Sequence, residues 1–158
     1  MTTTALPGRI GIRVYGTPIT QGSKTANRFG GGVRDDNAKT LKPWRNHVEA
    51  VAKDTCRYHE TITGPVRIWV RFTFDRPREH YGTGRNSEVI KERFLHAQPT
   101  YKKDIDKLQR AVFDALTAAA VWADDGLVVD VRARKFYAHG HELALDEAGV
   151  DIVIEEIA

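Results

Sequence analysis

The stretch Lys103-Asp104-Ile105-Asp106-Lys107-Leu108-Gln109-Arg110-Ala111-Val112-Phe113-Asp114-Ala115-Leu116 carries two patterns at once. From Leu108 onward, Leu108, Ala111, Val112, Ala115, Leu116, Ala118 and Ala119 recur at spacings of three and four and wrap most of the circumference. That predicts a helix over residues 106–120 that must be covered on two sides, by the sheet and by a second element or subunit. At its start stand Asp104 and Asp106. In extended chain, residues two apart point the same way, so both carboxylates can serve one divalent cation. An Asp before a helix also serves as an N-cap for orphan amides, and the two roles compete here. Arg110 follows Asp106 by one helical turn.

Downstream, Trp122-Ala123-Asp124-Asp125-Gly126 puts a second acid pair in a turn. Residues 127–136 and 150–156 then read as strands. The second alternates Val150, Ile152 and Ile154 with Asp151 and Glu155, which suits a strand that is flanking or exposed on one face. Upstream, residues 65–75 set Val66, Ile68, Val70, Phe72 and Phe74 on one face and Arg67, Trp69, Arg71 and Thr73 on the other, and residues 9–15 alternate likewise. Between these two strands, Pro43 fits the first turn of a helix whose Trp44, Val48, Val51, Ala52 and Thr55 run toward Tyr58. The order β-α-β-α-β-β makes an α+β fold, a mixed sheet of about four strands with two main helices, in a single domain over residues 1–158.

Charge is nearly balanced in sum, +3, yet uneven along the chain. Residues 17–45 hold six Lys/Arg against two acids, whereas residues 141–158 hold six acids and no Lys or Arg. Local cationic excess beside clustered acids suits a surface that attracts phosphates and holds a cation at one point; a merely solvated surface has the same composition. The single Cys56 cannot form an internal disulfide, which suits a reducing compartment. No signal-peptide pattern opens the chain and no run approaches the ~20 apolar residues that span a bilayer. A soluble protein of the cytoplasm is expected, with no membrane partner.

Two long connections interrupt the pattern, and both are expected to be flexible and basic. Residues 17–37 carry Lys24, Arg28, Arg34 and Gly30-Gly31-Gly32; residues 76–100 carry Arg85 with Tyr81 and Phe94, and a short helix is expected near residues 86–95. Tyr81, Phe94 and Phe29 could stack on an exposed base or anchor their loops. Gly22-Ser23-Lys24-Thr25 lacks the adjacent Gly-Lys of a phosphate loop. His139-Gly140-His141 and Cys56 with His59 have no further ligands nearby, so solvated or capping roles are expected.

From Asp104 to about Tyr137 the wording resembles the RusA-type Holliday junction resolvases of phages and prophages, whose core reads roughly Asp-x-Asp-Asn-Leu-x-Lys, then Asp-Ala-Leu, then Asp-Asp. Matching elements, in order, are Asp104-x-Asp106, Leu108, Phe113-Asp114-Ala115-Leu116, Trp122, Asp124-Asp125, Val128-Val129 and Lys135. Lys107 stands where the family commonly has Asn, and Arg110 where it has Lys. The resemblance implies a Mg²⁺-dependent endodeoxyribonuclease, with Mn²⁺ as a substitute, that cuts four-way DNA junctions by paired symmetric nicks in a bacterial cytosol. It implies Asp104, Asp106 and Asp125 as metal ligands, with the part of Asp124 left open. It places Arg110 at the phosphate, where a guanidinium stabilises charge but is a poor proton donor. Lys24, Arg28, Arg34, Arg85, Lys102, Lys103, Lys107 and Lys135 are the DNA-binding candidates. A broader branched-DNA nuclease and a junction-binding protein without cleavage remain the alternatives.

A junction with two-fold symmetry calls for a homodimer. Geometry adds an expectation of its own. A helix of ~14 residues is ~21 Å long, while ligands of one ion lie within ~5 Å of each other. The few residues between helix and Asp125 barely span that length back. Asp104 and Asp106 of one chain are therefore expected to share an ion with Asp125 of the other.

Overall fold

A computed structural model describes residues 8–22, 24–26, 33–35, 38–101 and 103–157, with backbone alone for 24–26, 33–35 and 38. Its principal sheet has four strands: β1 (Arg9–Tyr15), β4 (Val66–Phe74), β5 (Val128–Tyr137) and β6 (Gly149–Glu156), in the order β1-β6-β4-β5. Two helices, α1 (Ala38–Thr55) and α2 (Ile105–Ala118), pack on each other; α1 also contacts β1, and α2 contacts β5. The α+β architecture with a mixed sheet is thus as the periodicities predict.

Alternation decides which face of each strand is buried. Ile12, Val14, Ile68, Val70, Phe72, Val150, Ile152 and Ile154 are almost wholly inaccessible and meet Val48, Leu108, Val112 and Leu116 from the helices. Each such aliphatic side chain contributes roughly 1.5–3 kcal/mol by leaving water. The opposite face carries Arg13, Arg67, Trp69, Arg71 and Asp151, with the charges paired: Arg13 and Arg71 reach Asp151, and Arg67 reaches Asp130 at 2.7 Å.

The final strand is not a flanking one. β6 lies inside the sheet, antiparallel to β1 (Ile12 opposite Ile152) and to β4 (Val70 opposite Ile152). Alternation reports burial on one face and is the same for an interior as for an edge strand. Gly149 allows the insertion: a Cβ there would stand 2.5 Å from the Val14 carbonyl oxygen.

β4 and β5 run parallel, Val70 opposite Ala133, so the chain between them must cross over, and α2 is that crossover. The second apolar side of α2 is accordingly covered by α1 of the same chain. α1 begins before Pro43, which sits inside the helix as its sixth residue and leaves the Lys39 carbonyl without its i+4 donor. Within residues 17–37 a short hairpin appears, β2 (Lys24–Ala26) paired with β3 (Val33–Asp35).

Instead of one short helix, residues 76–100 hold three 3-10 turns, at Arg78–His80, Gly84–Asn86 and Glu92–Phe94. Arg76 organises them. Its buried guanidinium donates to the carbonyls of Ala138 (2.8 Å), Phe94 (2.8 Å) and Leu95 (3.3 Å) and to His80 Nδ1 (3.3 Å). A buried cation needs such partners to offset its lost hydration.

Candidate functional site

α2 starts at Ile105, and Asp104 is the residue that precedes its first turn. Its φ of −62° and ψ of 127° are those of extended backbone, yet its carboxylate makes no capping hydrogen bond. The side chain is 61% exposed and pairs with Lys107 Nζ at 3.4 Å, an i,i+3 neighbour. Asp106 is exposed in the first helical turn. The capping role that competes for Asp104 is therefore not the one its side chain plays. Two carboxylates stand at the helix N-terminus, where the dipole favours negative charge, and Arg110 is exposed one turn on.

Asp124 and Asp125 lie at the other end of the same crossover. Asp124 precedes a 3-10 turn, Asp125–Leu127, and again makes no side-chain cap; both acids are exposed. Residues 121–123 are held to Ile62, with Ile62 N–H donating to the Val121 carbonyl at 3.0 Å and Ala123 N–H to the Ile62 carbonyl at 2.9 Å. Val128 then enters the sheet opposite Val66, the first residue of β4. Lys103, by contrast, sets its Nζ 5.9 Å from the ring of Phe74, the last residue of β4. Eight steps of strand, ~26 Å at ~3.3 Å each, separate those two ends of β4. Among the described residues no three His, Cys, Asp or Glu side chains come together to hold a metal ion. Asp104 and Asp106 are neighbours; Asp125 is not with them in one chain.

The cationic candidates fall into three groups. Lys107 and Arg85 reach the surface region, Lys107 beside Asp104 and Arg85 exposed on a 3-10 turn. Lys103 and Lys135 are half-buried and hold backbone: Lys103 Nζ donates to the Pro18 carbonyl at 3.1 Å, and Lys135 Nζ to the Lys103 carbonyl at 2.9 Å. Burial lowers the Lys103 pKa below the ordinary lysine value. Lys24 and Arg34 lie on the β2–β3 hairpin, where the backbone alone is described, and Arg28 and Lys102 fall outside the described residues.

Among the aromatic candidates, Phe94 stacks on His80 at 4.3 Å and so anchors its loop, and Tyr81 bridges to Ile90. Phe29 lies outside the described residues. His141 stacks on Phe136 and accepts the Leu143 amide on Nδ1, so it is occupied structurally. Arg76 falls within the 76–100 connection expected to be basic and flexible, yet its guanidinium turns inward; its place two residues after the buried Phe74 is the sign of this in the sequence.

Asp104 and Asp106 are thus exposed carboxylates at a helix start, with Lys107 and Arg110 on the same helix. The comparison with known families gives that arrangement a specific setting. Residues 16–146 match the family Endodeoxyribonuclease RusA, and the chain belongs to that family. The match extends far beyond the Asp104–Tyr137 segment. YqaN of Bacillus subtilis (strain 168), described as uncharacterized, is 30% identical over 149 residues, 94% of this chain and 97% of YqaN. Crossover junction endodeoxyribonuclease RusA of Escherichia coli O139:H28 is 52% identical over 40 residues, and that of strain K12 is 50% identical over 40. Those local matches cover 25% of this chain and 33% of each Escherichia coli enzyme.

Proposed function

We propose that this chain is a divalent-metal-dependent endodeoxyribonuclease that resolves four-way DNA junctions by paired, symmetric nicks, working as a homodimer in a bacterial cytosol. The observation that carries it is the pair Asp104 and Asp106, exposed carboxylates at the start of α2 of which the first makes no cap, in a chain of the endodeoxyribonuclease RusA family. Hard cations such as Mg²⁺ or Mn²⁺ take oxygen donors, and Asp104, Asp106 and Asp125 supply them. When bound, such an ion polarises the scissile phosphate and lowers the pKa of a coordinated water.

The chain's own residues supply the rest. Asp104 and Asp106 hold their oxygens at a helix N-terminus, so little reorganisation is needed when positive charge arrives. Arg110, on the same side of α2 as Asp106, offers a fixed fork of donors to the extra charge that develops at phosphorus. Lys107 lies between them and balances Asp104. Arg85 and the hairpin residues Lys24 and Arg34 add phosphate contacts away from the cut. The separation of Asp125 from the α2 start supports a site completed by the Asp125 of a second subunit.

The direct test is cleavage of a synthetic four-way junction with Mg²⁺, beside flap and duplex substrates and a chelated control. Preferential, paired nicking of the junction is expected. Equal cutting of flaps would replace the proposal with a broader branched-DNA nuclease; binding without cutting would replace it with a junction-binding protein.

A further inference from the structure

β5 is one of the two edge strands of the principal sheet, ten residues long, and no strand pairs with its outer side among the described residues. Long edges with apolar side chains are templates for further pairing unless they are blunted. Here Val129 is 65% and Val131 40% exposed, two of the few large hydrophobic residues left in solvent. The one irregularity, where the pairing shifts between Val66 and Arg67, lies at the start of β5 and leaves residues 130–137 regular.

We propose that this edge pairs antiparallel with the β5 edge of a second copy, about a two-fold axis through Val131 perpendicular to the sheet. The inference rests on the shared-site reading above and names the surface that builds it. In a two-fold antiparallel pair, residues that face each other lie on the same side of the joined sheet, so only a few registers exist, and charge selects among them. Centred on Val131, Asp130 meets Arg132 of the second copy, twice by symmetry, and Val131 meets its own counterpart. Centred on Asp130, two aspartates oppose; centred on Arg132, two arginines; centred on Ala133, Arg132 opposes Arg134 on both sides. Only the Val131 register pairs opposite charges with no like pair. Both partners can engage: Asp130 uses Oδ2 for Arg67, leaving Oδ1, and Arg132 makes no ion pair among the described residues.

The same register assembles the acids. The end of one β5, with Lys135, would lie beside the start of the second copy's β5, and the 3-10 turn Asp125–Leu127 of that copy immediately precedes that start. Lys135 Nζ touches the carbonyl of Lys103, the residue before Asp104. Antiparallel pairing thus carries the start of one β5, with its Asp125, to the end of the other, with its neighbouring Asp104 and Asp106.

The test uses the whole chain with its only cysteine removed, Cys56→Ser. Val131→Cys in that background should oxidise to a covalent dimer, because facing Cα atoms at ~4.5–5.5 Å suit a disulfide. Ala133→Cys should not, since its two copies would be offset by four residues, ~13 Å along the strand. Arg132→Asp should weaken dimerisation by ~10-fold or more in sedimentation. A crosslink at Ala133→Cys rather than Val131→Cys, no crosslink at either, or unchanged association of Arg132→Asp would overturn the interface. A junction-cutting enzyme without the Val131 crosslink would overturn the interface alone; a Val131-crosslinked dimer that cuts no junction would overturn the nuclease reading and uphold the interface.

Discussion

Lys135 donates from Nζ to the backbone carbonyl of Lys103 at 2.9 Å, which ties the far half of the edge strand β5 to the turn that presents Asp104. A side chain spent on that bond positions an acid and does not reach for phosphate. Lys135→Met should therefore lower the cleavage rate by ~10-fold, since small displacements of reacting groups are costly. The salt dependence of junction binding should stay unchanged, whereas loss of a phosphate contact lowers the log–log slope by ~0.9. Binding isotherms at several salt concentrations decide between the two.

Asp106→Asn removes one carboxylate near the phosphate without altering its shape. Cleavage should be abolished while junction binding holds or tightens, because a negative charge has left the DNA-facing surface. A gel-shift beside a nicking assay reads both. Joint loss of binding and cleavage would assign Asp106 to the folding of α2.

On the proposed reading Arg110 stabilises charge at the phosphate, because a guanidinium is a poor proton donor. Arg110→Lys should keep substantial activity, whereas Arg110→Ala should lose on the order of 10²-fold, the scale of one preorganised donor. Near-normal turnover in the alanine variant would take Arg110 out of the site.

Complementation tests the division of the acids between subunits. An Asp104→Asn/Asp106→Asn variant and an Asp125→Asn variant should each be inactive alone, while their heterodimer regains one intact centre and single nicks. No nicking by a verified heterodimer would place the whole site in one chain.

His80 gives the fold a pH dependence of its own. Burial first, then the neighbouring Arg76 and Lys91, holds its pKa below the ordinary 6.5, with Glu79 opposing. His80 Nδ1 accepts from Arg76, which requires that nitrogen to be unprotonated. The unfolded chain thus binds the proton more readily than the native one. The stabilising contribution is full above about pH 6.5 and is lost as pH falls toward the depressed native value. Thermal unfolding should show this loss, and His80→Gln should flatten the profile in that window.

Much of this fold was legible in residue order. Alternation from Val66 to Phe74 marked β4 and its buried face, and the three–four spacing from Leu108 to Ala119 marked α2 to within two residues at each end. The position of β6 was not, since neighbours in a sheet are set by packing across the whole chain and leave no local trace in Val150–Ile154. Pro43 was misleading because a proline six residues into a helix costs one hydrogen bond, which the burial of Leu41, Trp44 and Val48 offsets. Of the candidate site, the Asp104–Asp106 pair could be read from spacing, while the inward turn of Lys103 and Lys135 depends on which carbonyls the fold leaves within reach.

The clasp formed by Arg76 separates the length of the basic excursion from the integrity of the core beneath the sheet. One guanidinium gathers Ala138, Phe94 and Leu95, so the stretch between Gly82 and Val89 hangs from an already closed ring, its neck fastened by the Gly82 amide on the Val89 carbonyl at 3.0 Å. Doubling the span inside such a ring costs only ~0.6 kcal/mol of closure entropy. Relatives could thus lengthen or trim this arm, and change how far Arg85 stands from the domain, with the sheet untouched.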